Sequence, residues 1–164
     1  MLEKKLTASG AKAHQRNDTE HRLRPYSDWH RTLDRALLML DVDYIEWRII
    51  GGELVAVGVM EVTRVDQGRE VTQGYLDAIL HRYNERDIQS RAARKVAEAL
   101  DTKAYIVLFR EDCSEFWVYN LSETRGWYHT SPVGMERWLT RLGQRHRDRV
   151  TSPARNTTTG EGGV

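Results

Sequence analysis

Apolar positions recur along this chain in two periods, and the switches between them lay out its elements. Ser27 can cap a helix running from Asp28 to about Leu40, with Trp29, Leu33, Ala36, Leu37 and Leu40 as its apolar stripe. Residues 41–64, DVDYIEWRIIGGELVAVGVMEVTR, then read as a strand, a Gly51-Gly52 turn and a second strand. Glu53 and Glu61 enclose an uncharged run, Leu54 to Met60, the mark of a strand covered on both faces. After a polar loop over 64–70, Tyr75, Leu76, Ile79, Leu80 and Tyr83 fall at helical spacing within 71–83. Asn84 and Asp87 are caps that break the pattern before a second helix, 87–100, burying Ile88, Ala92, Val96, Ala99 and Leu100. Residues 104–109 form another near-continuous apolar strand, and 116–119 its antiparallel neighbour. Trp127 and Tyr128 fall in a loop or edge strand. Ser131-Pro132 opens a last helix carrying Met135, Trp138, Leu139 and Leu142. A buried strand, a helical crossover and a second buried strand imply right-handed parallel pairing. The expected fold is α/β: a mixed central sheet flanked by helices, in the order αββα(α)ββα.

Register decides what the hairpin can do. With a two-residue loop Ile50 pairs with Glu53, and Asp43 and Glu61 point to opposite faces. With a three-residue loop, Gly51-Gly52-Glu53, Asp43 lies opposite Glu61, Asp41 opposite Thr63 and Glu46 opposite Gly58. The second register is the one expected, because it places two carboxylates within roughly 5 Å at their Cβ atoms. Acids at the end of a buried strand are costly to desolvate without a positive neighbour, so they point to a metal site. Salt bridges or turns at the strand ends are the plainer reading.

Composition narrows the field. At 164 residues, 40% hydrophobic and 30% charged, the chain reads as one globular domain over 26–143. A flexible basic arm, 1–25, precedes it and a disordered tail, 144–164, follows. The single cysteine, Cys113, excludes an intramolecular disulfide and fits the cytoplasm. No apolar leader and no membrane-length run is present. The net charge of +1 hides a segregation: 1–31 and 141–164 each carry +3, while 32–140 carries −5. An acidic centre with basic flanks fits a metal site whose surroundings grip phosphate. Gly-rich phosphate loops, nucleophile elbows and zinc-ligand spacings are absent from the sequence.

An Asp at the start of one strand, a hairpin, an apolar strand ending in Glu-x-(Lys position) and a crossover helix resemble the PD-(D/E)xK nuclease superfamily. That group includes archaeal Holliday-junction resolvases and many phage and restriction nucleases. The likeness covers roughly residues 27–121 and implies a restriction-endonuclease-like core. It also implies that Asp43, Glu61 and the Val62 carbonyl bind Mg²⁺ or Mn²⁺, and that the residue at Thr63 helps activate water. Threonine stands there in place of the family's lysine. Gln89 and Lys95 on the crossover helix are the candidates to replace it, and His30 is a candidate phosphate contact or proton carrier. Arg31, Arg64, Arg91 and Arg94 are candidate nucleic-acid contacts.

The expectation from residues and resemblance together is a metal-dependent endonuclease of phage or mobile-element origin, acting on DNA rather than RNA. A homodimer is one arrangement open to it, and no membrane association is expected. The alternative is a nuclease-fold protein that binds nucleic acid or a protein partner without cutting. A third reading is an interaction module whose strand-end acids form only salt bridges.

Overall fold

The computed structural model describes residues 20–86, 88–123 and 125–151. Five strands form one mixed sheet: β1 (Tyr44–Ile50), β2 (Glu53–Arg64), β3 (Ala104–Phe109), β4 (Phe116–Asn120) and β5 (Trp127–Thr130). They lie side by side in chain order. The pairs β1–β2, β3–β4 and β4–β5 are antiparallel, and β2–β3 is parallel. The parallel step forces a crossover, supplied by α2 (Gln73–His81), a π-helical turn (Arg82–Arg86) and α3 (Gln89–Ala99). A further helix, α1 (Glu20–His30), precedes the sheet, while α4 (Pro132–Leu142) and α5 (Gln144–Thr151) follow it. The α/β class and the mixed sheet agree with the sequence.

Side-chain alternation divides the core in two. Val59, Ile106 and Leu108 face one layer, with Leu76, Ile79 and Tyr83 from the first half of the crossover and Ala93 and Ala97 from α3. Met60, Tyr105, Val107 and Val118 face the other, under Met135, Trp138 and Leu142. Helices therefore cover both faces of the sheet. Glu61 alternates with Met60, so it belongs to the crossover side.

The hairpin departs from the expected loop and still reaches the expected alignment. Ile50 pairs with Glu53, so the loop has two residues, not three. Gly51 and Gly52 both adopt positive φ, 60° and 86°, as a type I′ turn requires. Further along, Glu46 pairs with Gly58 and Trp47 with Ala56, which leaves Val57 as an extra residue in β2. This bulge shifts the ladder by one. Tyr44 pairs with Met60, and the next step places Asp43 opposite Glu61.

Three other expectations are corrected. No helix runs over 28–40: α1 spans Glu20–His30 and carries Pro25 within it. The Thr32 hydroxyl donates to the Trp29 carbonyl at 2.7 Å, and Asp34 Oδ1 accepts from the Ala36 N–H at 2.8 Å. Such side-chain bonds divert the backbone from helical pairing, and Leu37 and Leu40 of the expected stripe stand exposed. The buried face of α3 is Ser90, Ala93 and Ala97, with Ile88 at 40% exposure and Ala99 exposed. Residues 144–151, read as tail, form α5; 1–19 and 152–164 lie outside the described residues. Asp87, read as a cap, also lies outside them.

Gly52 has open space where a Cβ would stand, so only its backbone conformation resists substitution. Gly52→Ala is expected to lower the unfolding free energy by about 1 kcal/mol in a denaturant titration, with the fold retained by circular dichroism.

Candidate metal centre

Glu61 is the feature that the packing does not explain. It is 1% exposed, in a strand whose other buried side chains are apolar. Its Oε1 has no hydrogen-bond partner among the described residues. A buried carboxylate in that state resists ionisation. Its pKa is pushed from 4.5 to about 7, first by burial, then by the charges of Asp43 and Asp41, with the Gln89 amide pulling the other way.

Its neighbours arrive from two places, the connection before β1 and the first residue of α3. Asp43 immediately precedes β1, and its Oδ2 accepts the Val62 N–H at 2.7 Å, which clamps it to the end of β2. Asp41, two residues earlier, accepts long bonds of 3.4 Å from Gln89 Nε2 through its carbonyl and its carboxylate. Gln89 opens α3 and is half-buried. The crossover thus leans its first turn over the strand-end acids. Ser90, next to Gln89, is fully buried and its hydroxyl likewise has no partner among the described residues.

The sequence reading placed Tyr83 in the helical apolar spacing of 71–83 and overlooked its hydroxyl. The π-helical turn, one extra residue wound into the crossover, carries Tyr83 into the layer beneath Glu61. Burial raises the pKa of that hydroxyl above 10.0; Arg82 and the Thr63 side chain act against the rise, while the Glu61 charge adds to it. The Arg82 guanidinium lies over the Tyr83 ring, 4.9 Å from its centroid. Thr63, where the resembling family has lysine, therefore faces a neutral phenol with a cation behind it. Only the helical break at Asn84 hinted at this.

The remaining candidates lie elsewhere. Lys95 is exposed and six residues beyond Gln89, which turns it roughly 240° around the helix. Arg94 is a bracket, bonded to the Leu121 carbonyl at 3.1 Å and Asn84 Oδ1 at 2.7 Å. Arg64 pairs with Glu111, and Arg31 with Asp28. Arg91 is exposed on α3. His30 packs its ring near Tyr26 and Trp29 at the end of α1. A cavity of about 690 Å³, walled by Tyr105, Tyr128 and Trp138, opens without any of the three acids in its lining.

Oxygen donors of this kind suit a hard divalent cation. Among the described residues no three His, Cys, Asp or Glu side chains close into a ligand cage. The protein's share would be the Glu61 and Asp43 carboxylates, with water or phosphate completing the shell, as Mg²⁺ commonly accepts. The unsatisfied Glu61 oxygen makes the residues present a fit for one such ion. Comparison with protein-family models, curated proteins and solved structures returns no match to this chain. No helix among the described residues is long and apolar enough to cross a membrane.

The raised Glu61 pKa has a signed consequence. Between 4.5 and about 7 the folded chain holds a proton that the unfolded chain has released. Folding stability therefore falls as pH rises through that window and levels off above it, a loss of about 3 kcal/mol at most. Glu61→Gln is expected to abolish the slope and to raise stability at pH 8. Millimolar Mn²⁺ is expected to restore stability there to the parent protein and not to the variant, as read by thermal denaturation.

Proposed function

We propose that the protein is a divalent-cation-dependent phosphodiester hydrolase acting on DNA, with a core of PD-(D/E)xK type. The observation that carries this reading is the buried, unpartnered carboxylate of Glu61 at the end of a central strand, beside Asp43 and Asp41. A carboxylate so placed is costly unless a cation completes it. The hairpin, the acid-terminated strand, the crossover and the parallel return strand support the same reading, as does Gln89 at the mouth of the crossover.

The side chains divide the work. Glu61 and Asp43 would hold the ion, and the Val62 N–H fixes the Asp43 carboxylate in place. When bound, a divalent cation would supply Lewis acidity towards a phosphate oxygen and an attacking water. Gln89, tied to Asp41, sets the distance between the crossover and the acids. Tyr83 stays neutral well above pH 7, so its hydroxyl is a donor and not a base. With Thr63 it offers hydrogen bonds where lysine would offer an ammonium, and Arg82 keeps positive charge behind it. Exposed Arg91 and the basic ends of the chain would hold the sugar-phosphate backbone through sequence-independent contacts.

The second reading, a nuclease-fold protein that binds nucleic acid or a protein without cutting, draws on one residue. Threonine in the lysine position withdraws a charge from the site.

Incubation with plasmid, branched and single-stranded DNA in Mg²⁺ or Mn²⁺ separates these readings. Cleavage by the parent protein, lost by at least about 100-fold in Glu61→Ala and Asp43→Ala, is the expected result. Nicking that survives Glu61→Ala would refute this site, and a salt-sensitive mobility shift without cleavage would favour the binding protein. Where cleavage is found, Tyr83→Phe is expected to lower kcat about 10-fold or more with KM little changed, because a hydroxyl acting on the reacting groups contributes chiefly in the transition state.

A further inference from the structure

The cavity on the α4 side of the sheet plays no part in the site of the three acids. α4 starts against β5, where Gly134 lies on Thr130, and reaches β1, where its Leu139 carbonyl accepts a bond from Arg48 at 2.9 Å. It therefore crosses the sheet and leaves a wedge beside the end of β4 and the starts of β3 and β5. With His146 of α5 in its wall, this wedge encloses about 690 Å³, within the roughly 300–1,000 Å³ of small-molecule sites. Tyr105 and Trp138 meet edge to face in its lining, 5.0 Å between centroids. Tyr128, 48% exposed, has no aromatic partner among the described residues. Tyr128 pairs with Val118 and Asn120 with Tyr105, so these side chains share one face of the sheet. Asn120 Oδ1 accepts the N–H groups of Ser122 and Glu123 at 2.9 and 3.1 Å. Its amide nitrogen is thereby left to donate, and has no partner among the described residues. Of the charged lining, Glu123 engages Lys103 and Arg125, and Asp101 is not without a partner of its own. The exposed Arg141 guanidinium has none among the described residues.

We propose that this cavity binds a nucleotide, with the base against Tyr128 and Trp138 and the phosphate on Arg141. The unpartnered guanidinium disfavours a cationic ligand and asks for an anion, and phosphate matches its planar fork. The aromatic walls ask for a flat ring, which stacks on them whatever its base identity. Asn120 can only donate, so it calls for a ring edge that carries acceptors, as N7 and O6 of guanine do. A nucleotide joins these features in one molecule. An apolar ligand meets only the second of them, and a sugar phosphate only the first. A free nucleotide and an unpaired nucleotide of a strand share this chemistry; a duplex does not, because its bases stack on one another. The cavity has neither Glu61 nor Asp43 nor Asp41 in its lining, and it stands whether or not the hydrolase reading does.

Titration calorimetry of the full chain with GMP, in EDTA so that no divalent cation takes part, tests it. GMP is expected to bind with a micromolar Kd, and guanosine, ribose 5-phosphate and inorganic phosphate each at least about 10-fold more weakly. Arg141→Gln is expected to weaken GMP about 10-fold and to leave guanosine unchanged, because it removes the phosphate contact alone. Tyr128→Ala is expected to weaken GMP and guanosine alike, by about 10-fold. Both side chains are exposed, so the circular dichroism spectra of the variants are expected to match that of the parent. Competition separates the two sources. Displacement of GMP by single-stranded DNA, and not by a blunt duplex, assigns the cavity to an unpaired nucleotide of a strand; GMP that resists both assigns it to the free nucleotide. Absence of binding at millimolar GMP overturns the proposal. So do guanosine or phosphate binding as tightly as GMP, an affinity unmoved by both variants, or displacement by the duplex as readily as by the single strand.

Discussion

A carboxylate oxygen with no partner, at the closed end of a buried strand, is the constraint around which the rest of this structure arranges itself. β2 is apolar from Leu54 to Met60 because it lies between two helical layers, and the charge of Glu61 enters at its last buried position. Everything nearby bears on this side chain. Asp43 and Asp41 add negative charge, Gln89 offsets part of it, and Tyr83 contributes a neutral hydroxyl. A site designed only for stability would place an apolar residue at this position. The cost of Glu61 is the one that the proposed cation would offset.

The architecture delivers these groups with economy. A parallel pair cannot be joined by a tight turn, so the chain must leave the sheet after β2 and return at β3. That obligatory excursion brings Tyr83 and Gln89 over the strand end, from the π-helical turn and the helix after it. The connection leading into β1 supplies the two aspartates. The site is thus shared among three elements that the sheet order places together, and none could hold it alone.

Much of this was legible in the sequence because it rests on periodicity. The uninterrupted apolar runs of β2 and β3 and the helical spacing between them determine a mixed α/β sheet. The hairpin alignment shows the limit of such reasoning. A longer loop was expected, whereas the glycines take the shorter turn and Val57 absorbs the extra residue. The one local signal was Gly58 beside Val57, since a glycine inside a strand often marks a bulge, and the apolar run around it drew the reading to the loop instead. The helix expected at 28–40 satisfies the apolar spacing, yet Asp34 and Thr32 bond to the backbone, an interaction that spacing does not weigh. On α3 the eye selects Ile88 and Val96, although close approach to the sheet selects Ser90, Ala93 and Ala97. Tyr83 fell within the helical spacing and is buried; what a phenol's far end does there depends on the fold.

Asp41 and Asp43 belong to no helix or strand: they ride on the connection between α1 and β1, fastened by the Val62 N–H and by Gln89. Their availability is consequently an equilibrium property of that connection and not a fixed attribute of the sheet. Whatever tightens the connection holds the two acids nearer Glu61, and by thermodynamic reciprocity anything that binds them there would tighten the connection to the same degree. The acids behave as a latch whose closing is felt on both sides.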